Sequence, residues 1–253
     1  MANSISRSPP PIRPDARDML YHYARGEFPY WGDDDPAMFW HAPAHRGIQM
    51  LNEIAIPKGQ KRYVVTDRFT FRWNGDFAGV LAACADPSRP GRFWLTPTLI
   101  EGYQNLHRLG YAFSAEAWQD QQLVGGLFGV HIGSFVSVES MFHRANHASK
   151  FAYGQLLLRL HEQGFQMLDV NFVQPHFEQF GAKWVPGWRF SQLMNPLLRQ
   201  PRSLDGVLPP AVLPRNIAMR LALRRIVRGA ARRVIKLVPR RNKPVAASPV
   251  ANQ

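Results

Sequence analysis

The chain has 253 residues, 45% of them hydrophobic, which is enough for one large domain or two small domains with a sizeable core. It contains no apolar run of the roughly 20 residues needed to cross a membrane, and residues 1–14 lack the apolar segment of a secretory signal. The single cysteine, Cys84, excludes an intramolecular disulfide and a cysteine-based zinc cluster, so a cytoplasmic protein is the simplest interpretation.

The first part of the chain predicts mainly helices separated by segments rich in glycine, proline and aromatic residues. In chain order we expect a helix, an aromatic loop, a strand and two further helices, at 17–25, 28–40, 62–66, 76–85 and 96–109. The last helix has the clearest pattern, because Leu99, Tyr103 and Leu106 repeat at helical spacing and Gly110 ends it.

The middle of the chain predicts a β-meander that continues into a helix and another strand. Three strands, the helix and the fourth strand are expected at 111–118, 122–132, 135–142, 149–163 and 165–173. A short element at 180–185 then leads to a final strand. A meander followed by a helix and a strand is typical of an α/β or α+β protein.

Positive charge is concentrated near the end of the chain. The formal net charge is +13, and residues 215–243 carry 11 cations without one acid, which leaves the remainder nearly balanced. Apolar residues such as Leu223 and Val227 fall on one helical face there, and arginines such as Arg224 and Arg228 on the other. Such a helix could lie on an anionic membrane, bind an RNA backbone or dock on the protein itself, and like-charge blocks also occur as solvated tails.

Two acids lie in otherwise apolar predicted strands, Glu139 in the third and Asp169 in the fourth. Burying a carboxylate costs free energy unless it is paired or hydrogen-bonded, so each acid is either a structural partner of an arginine or a functional group. Asp169 and Asn171, two residues apart on one strand, are expected to share a face. Together these residues predict a site between the two strands.

Three sequence blocks, in order, resemble the leucyl/phenylalanyl-tRNA–protein transferases. The middle block contains the motif Glu-Ser-Met-Phe at 139–142. The three blocks lie at 103–118, 123–150 and 164–182. A shorter segment that also resembles the family lies before them, at 26–30. Their combined order and spacing cover most of residues 20–190.

The resemblance implies an α/β (α+β) fold, in which a small N-terminal domain precedes a domain similar to the Gcn5-related acetyltransferases. The expected parts are a flexible N-terminus, the small domain, the acetyltransferase-like catalytic domain, and a linker with the basic amphipathic tail, at 1–16, 17–75, 76–200 and 201–253. The implied reaction moves leucine or phenylalanine from the 3′ end of charged tRNA to the N-terminal arginine or lysine of an acceptor protein, which marks the acceptor for degradation.

The resemblance also assigns roles to the acids and the amide. The family pattern Asp-Cys-Gln is similar to Asp169-Val170-Asn171, so Asp169 would be the polarising carboxylate and Asn171 the amide that contacts the acceptor amine. Glu139 would help to shape the aminoacyl or acceptor site. Neither a metal nor a diffusible cofactor is implied. His143 and His147 have the spacing of a metal-binding pair, but the sequence offers no third ligand nearby. We therefore interpret them as solvated residues just before a helix.

The resemblance also implies two pairs of residues that bind the donor. Tyr30, where the family usually has tryptophan, and Trp94 would stack on the terminal adenosine of tRNA, although aromatic residues are core residues by default. Leu127 and Val136 would line an apolar pocket for the amino-acid side chain, unless they simply belong to the core. A pocket of this kind discriminates by roughly 1–3 kcal/mol per methylene.

The chain departs from the family pattern in ways that leave two other functions open. Asn171 is one methylene shorter than the usual glutamine, and Val136 replaces a phenylalanine, which widens the expected pocket. These changes favour a diverged acetyltransferase-like enzyme that acylates another amine, such as a small molecule or a lipid head group. The basic tail favours instead a non-catalytic binder of RNA or of an anionic membrane.

Overall fold

The computed structural model describes residues 15–31, 38–52, 56–89 and 94–204. All of them lie in the first of two units, Met1–Leu213 and Pro214–Gln253, into which the chain divides. The strands in the described ranges are β1 (Phe28–Trp31), β2 (Met38–His41), β3 (His45–Met50), β4 (Thr70–Trp73), β5 (Ala112–Gln119), β6 (Gln122–Ile132), β7 (Phe135–His143), β8 (Met167–Asn171) and β9 (Lys183–Pro186). The helices there are α1 (Ala16–Tyr23), α2 (Lys58–Val64), α3 (Phe77–Cys84), α4 (Pro97–Arg108), α5 (Ala148–Glu162), α6 (Pro175–Glu178) and α7 (Gly187–Leu197).

Seven of these strands form one mixed sheet in the order β4-β5-β6-β7-β8-β3-β9. Every neighbouring pair is antiparallel except β7 and β8, which run parallel. The parallel pair is short, because only Val136–Leu168 and Ser137–Asp169 lie opposite each other. Beyond Ser137 and Asp169 the two strands separate, and this separation positions the site.

Helices cover both faces of the sheet. Leu127 belongs to the main core cluster together with Tyr153 and Leu156 of α5, whereas Phe128 contacts the rings of Phe77 in α3 and Tyr103 in α4. Consecutive strand residues point to opposite faces, so α5 lies on one face and the α3–α4 pair on the other. The predicted mixed α/β class is confirmed.

The helix predicted at 76–85 and the helix at 96–109 are confirmed, and each begins with a side-chain cap. Asp76 accepts a hydrogen bond from the backbone N–H of Gly79 (2.8 Å), and Thr96 accepts one from Leu99 (3.3 Å). Such caps satisfy backbone donors that have no partner inside the helix. The meander, the helix at 149–163 and the strand after it are confirmed as well, with bounds shifted by a few residues.

The strand predicted at 62–66 is wrong, because residues 58–64 form α2. Val64 is fully buried, and a Cβ added at Gly154 of α5 would lie only 2.2 Å from its Cγ2. Gly154 therefore lets α2 pack directly on α5, and this tertiary contact outweighs the strand preference of the valines and aromatic residue in the segment.

The aromatic segment at 28–40 is not a plain loop, since β1 and β2 form a separate two-stranded ladder in which Phe28 lies opposite His41. β3 and β4 were not predicted. They precede the expected boundary at residue 75 and pair with strands that follow it. A separate small domain at 17–75 stays a prediction. Within the described ranges, no helix has the length and apolar character needed to cross a membrane.

Candidate active site

A cavity of about 560 Å³ opens where β7 and β8 separate. Aromatic and polar side chains share its wall, among them Phe28, Tyr30, Trp94, Glu139, Ser140, His143, Lys150, Asn171, Phe172 and His176. Four of the residues predicted from the sequence therefore meet here, namely Tyr30, Trp94, Glu139 and Asn171. They come from β1, the segment before α4, β7 and β8, so the sheet brings together distant parts of the chain.

A bulge in β7 turns Glu139 toward the cavity. Residues 128–129 of β6 lie opposite residues 138–140 of β7, so Glu139 is an extra residue that β6 does not pair. A Cβ at Gly129 would lie 2.1 Å from the carbonyl oxygen of Ser137, which means that only glycine permits this close approach. Bulges of this kind re-aim a side chain at the edge of a functional site.

Glu139 carries an unusually weak acid group. Its carboxylate accepts a hydrogen bond of 2.6 Å from the hydroxyl of Ser137. Burial raises the pKa of Glu139 to about 7; the Ser137 hydroxyl partly opposes this rise, and the nearby Asp169 carboxylate adds to it. Glu139 can thus both accept and release a proton near neutral pH.

Two buried tyrosines lie behind Glu139. The hydroxyl groups of Tyr23 in α1 and Tyr103 in α4 are 2.7 Å apart, and both side chains are fully buried. Burial raises the pKa of each tyrosine well above its usual value, and the negative charge of Glu139 adds to both shifts. Because they keep their protons, the tyrosines can only present neutral hydroxyl groups to the carboxylate.

Asp169 does not line the cavity; it is fully buried behind it and paired with Arg46 of β3. The guanidinium binds both carboxylate oxygens, with Nε 2.9 Å from Oδ1 and Nη2 2.6 Å from Oδ2. Its remaining nitrogen, Nη1, donates to the carbonyl of Gly26 (3.0 Å), and its Cζ lies 4.4 Å from the ring centre of Phe28. The predicted arginine partner of this acid is therefore Arg46, and the sequence analysis did not identify it.

Asn171 faces the cavity because the pairing register between β3 and β8 shifts near the end of β8. Gly47 of β3 lies opposite Asn171 and Ile48 lies opposite Asp169, so Val170 is passed over. Asn171 has a φ of +58°, a left-handed conformation that asparagine adopts more readily than most residues. Of the two residues expected to share a face, only Asn171 therefore lines the cavity.

The side chain of Asn171 has a fixed orientation and one open acceptor. Its Nδ2 donates to the carbonyl of Val138 (3.1 Å), and its backbone N–H donates to Oδ1 of Asp169 (2.9 Å). Oδ1 of Asn171 is buried and has no hydrogen-bond partner among the described residues. A buried acceptor of this kind costs free energy unless something binds it, so its place in a cavity wall indicates a ligand that donates a hydrogen bond.

A lysine, an arginine and two histidines gather at one side of the cavity. Lys150 and His143 line it, and Nζ of Lys150 lies 5.2 Å from the ring centre of Tyr63, whose ring stacks on His147 at 4.0 Å. Desolvation and then the charges of Lys150 and Arg62 lower the pKa of His147. This surface, which we call the basic rim, consists of Arg62, His143, His147 and Lys150 and suits an anionic ligand.

The predicted apolar pocket at Leu127 and Val136 does not coincide with the cavity. Both side chains are fully buried in the main core cluster, and neither lines the wall. A pocket there would require the core to open. Cavity residues that the sequence analysis did not single out include Phe172 and His176. The described residues contain no group of three histidines, cysteines or acids that could bind a metal ion.

Comparison with known proteins agrees with the resemblance in sequence. Residues 48–195 match the family "Leucyl/phenylalanyl-tRNA protein transferase". A protein of that name from Rhodopseudomonas palustris (strain TIE-1) is 41% identical over 85% of this chain and 92% of its own length. Another, from Chlorobium limicola, is 34% identical over 74% of this chain and 96% of its own length.

Two solved structures that the chain resembles are distant from it in sequence. The L-PGS from Bacillus licheniformis is 12% identical, with a TM-score of 0.40 over 56% of this chain and 57% of its own. A GCN5-related glucosamine N-acetyltransferase region of a fungal β-N-acetylglucosaminidase is also 12% identical, with a TM-score of 0.42 over 73% of this chain and 24% of that one. A likeness at this distance says nothing about activity.

Proposed function

Because the chain belongs to the leucyl/phenylalanyl-tRNA–protein transferase family and is thus an aminoacyltransferase, we propose that its cavity transfers leucine or phenylalanine from charged tRNA to the N-terminal arginine or lysine of an acceptor protein. The observation that carries this proposal is the pairing of Glu139, whose pKa is about 7, with the open acceptor of Asn171 in one cavity wall. Acceptors modified in this way are marked for degradation. A cytoplasmic location fits a donor that is charged tRNA.

The reaction requires a neutral amine. An α-ammonium group has a pKa of about 7.7–8.0, close enough to that of Glu139 for the carboxylate to accept its proton. The freed lone pair then attacks the ester carbonyl of the aminoacyl-tRNA, and a tetrahedral intermediate forms. When the bond between the carbonyl carbon and the ribose oxygen breaks, that oxygen takes the proton from Glu139. The nitrogen of the intermediate gives its second proton to water, and the neutral amide is released from tRNA.

Asn171 and Asp169 have different roles in this proposal. Oδ1 of Asn171 accepts a hydrogen bond from the incoming amine and holds it near the ester carbonyl, which is how an enzyme lowers the entropic cost of the attack. Asp169 does not touch the amine, since both of its oxygens bind Arg46. It acts as a positioning residue, because Oδ1 also accepts the backbone N–H of Asn171.

Tyr30 and Trp94 are proposed to hold the terminal adenosine of tRNA. Both are partly buried, both line the cavity, and neither is closed inside the core. The ring of Tyr30 leans on Phe172 at 5.8 Å, and that of Trp94 lies nearly parallel to Phe128 at 6.4 Å. Each aromatic residue is therefore supported from behind and can present a face to a base.

Replacing Tyr30 or Trp94 by alanine is expected to weaken binding of aminoacyl-tRNA by about 1–3 kcal/mol, because the base no longer stacks on an aromatic ring. Affinity for a short charged hairpin that carries the tRNA 3′ end would measure this effect. Trp94→Phe keeps an aromatic face and should bind more tightly than Trp94→Ala. Tyr21→Ala, in α1 and outside the cavity wall, is the matched control and should bind normally. Equal binding by all four variants would exclude stacking.

The basic tail at 215–243 lies outside the described residues, and its contact with RNA or with an anionic membrane stays a proposal. Deleting the residues after Pro214 is expected to lower affinity for tRNA and to flatten its salt dependence, by about 0.7–0.9 in the logarithmic slope for each phosphate that the tail neutralises. A tail that binds a membrane would leave this slope unchanged and abolish binding to anionic liposomes instead. The basic rim would then be the main phosphate-binding region on the described surface.

The proposed function is tested by mixing the purified protein with tRNA charged with labelled leucine or phenylalanine and with a peptide that begins with arginine or lysine. Label on the peptide is the expected result. A peptide that begins with aspartate is the control and should stay unlabelled. If charged tRNA binds but neither basic peptide is labelled, the acceptor has changed, and other amines become the candidates.

A further inference from the structure

We propose that the acceptor polypeptide leaves the cavity along β9, with the residues after its N-terminal one lying extended beside this strand and against Trp184. The inference rests on the proposed function, since it concerns the path of the second substrate. It adds a binding surface outside the cavity, formed by Lys183, Trp184, Pro186 and Trp188, which we call the edge surface.

β9 is an edge strand. Among the described strands it pairs only with β3, so one side of its backbone has no neighbouring strand. Three of its residues, Lys183, Trp184 and Pro186, are exposed. An open edge of this kind binds an extended peptide by adding a strand, in which main-chain hydrogen bonds supply affinity without requiring a fixed sequence. That property suits an enzyme whose acceptors share little beyond their first residue.

The edge surface also carries unusual apolar exposure. Trp184 is 47% exposed and Trp188, in the first turn of α7, is 65% exposed. Exposed tryptophans next to an open strand are typical of a site for another chain, because a large rigid ring buries much area at little entropic cost.

The edge surface is continuous with the cavity. Phe172 lines the cavity and directly follows Asn171, and its ring centre lies 6.1 Å from that of Trp184. An extended chain advances about 3.3 Å per residue, so an acceptor whose amine binds Asn171 would reach Trp184 within about three residues. The basic rim, with its cations, offers RNA a separate approach, whereas nucleic acid cannot pair with a strand edge. These features favour a polypeptide on the edge surface.

The test compares an arginine-initiated dipeptide with a hexapeptide that begins with the same two residues, using charged tRNA and the full chain. In the unaltered protein the hexapeptide should have the lower KM. Trp184→Ala should raise the KM of the hexapeptide about tenfold relative to that of the dipeptide. Val65→Ala, another exposed apolar residue (76%), is the matched control and should leave this ratio unchanged.

A second measurement keeps the test independent of any defect in folding. Methylating the backbone nitrogens of hexapeptide residues 2 to 4 removes their donors, so the KM in the unaltered protein should rise toward that of the dipeptide. The inference is overturned if both peptides have the same KM, or if Trp184→Ala weakens binding of charged tRNA instead, which would assign the surface to RNA. Failure of the unaltered protein to label either peptide would instead refute the proposed function.

Discussion

Asp169→Ala is expected to lower the free energy of unfolding by about 3–5 kcal/mol, the usual cost of leaving one charge of a buried pair without its partner. Arg46 would remain almost wholly buried, at 1% exposure, with only the Gly26 carbonyl to accept from its guanidinium. Transfer should fall about a hundredfold as well, because the backbone of Asn171 loses the carboxylate that fixes it. Urea unfolding followed by tryptophan fluorescence, together with the transfer assay, measures both effects.

A double variant separates stability from positioning. Arg46→Met combined with Asp169→Leu removes both charges, and replacement of a buried pair by apolar residues is often neutral or stabilising. We therefore expect the double variant to unfold close to the unaltered protein while its transfer activity stays low. If Asp169→Ala alone keeps both normal stability and normal transfer, the pair neither supports the sheet nor positions Asn171.

Glu139→Gln is expected to lower kcat by about 10²–10⁴, the range attributed to a positioned acid–base group. The unaltered protein should become more active as the pH rises through about 7, because Glu139 accepts a proton only when ionised. The pH–rate profile of the variant should keep only the change in slope that is due to the substrate amine, at a pKa of about 8. Single-turnover transfer rates between pH 5.5 and pH 9 measure this difference.

Ser137→Ala is the informative control for Glu139. The Ser137 hydroxyl stabilises the charged carboxylate, so its removal should shift the pH midpoint upward and leave most of the plateau rate. A midpoint that does not move in Ser137→Ala, or a break near pH 7 that persists in Glu139→Gln, would show that another group titrates.

The raised pKa of Glu139 also determines how the stability of the folded chain changes with pH. A carboxyl group whose pKa is raised from 4.5 to about 7 holds its proton more tightly in the folded chain than in the unfolded chain. Its contribution to stability is complete below pH 4.5 and is lost as the pH rises through about 7. Glu139→Gln should therefore gain stability relative to the unaltered protein across this interval.

Local pattern was enough to predict several of the regular elements, though not β3, β4 or α2. Apolar spacing and a terminal glycine indicate the helix at 96–109, and apolar runs between turns indicate the meander. The segment around α2 could not be predicted in this way, because its helix depends on the contact between Val64 and Gly154, 90 residues away in the chain. Long-range contacts of this kind leave no local signal.

The site also combines residues that a local pattern indicates with residues that only long-range contacts reveal. A carboxylate in an apolar strand marked Glu139 and Asp169 from the sequence alone, because burial of an acid requires a reason. The identity of the partner, Arg46, and the different roles of the two acids follow from strand order and from the two bulges, which periodicity does not record. The shorter amide at Asn171, a departure from the family pattern, accords with the left-handed backbone at that position.

The ion pair between Arg46 and Asp169 joins residues separated by 123 positions, and it forms only when β3 lies beside β8. Closing so long a loop costs conformational entropy, which is repaid only when β3 packs beside β8. Asn171 acquires its orientation at the same moment, since its backbone N–H binds the same carboxylate. A chain in which β3 has not yet reached β8 therefore lacks an oriented Asn171, so we expect the centre to function only after its own sheet is complete.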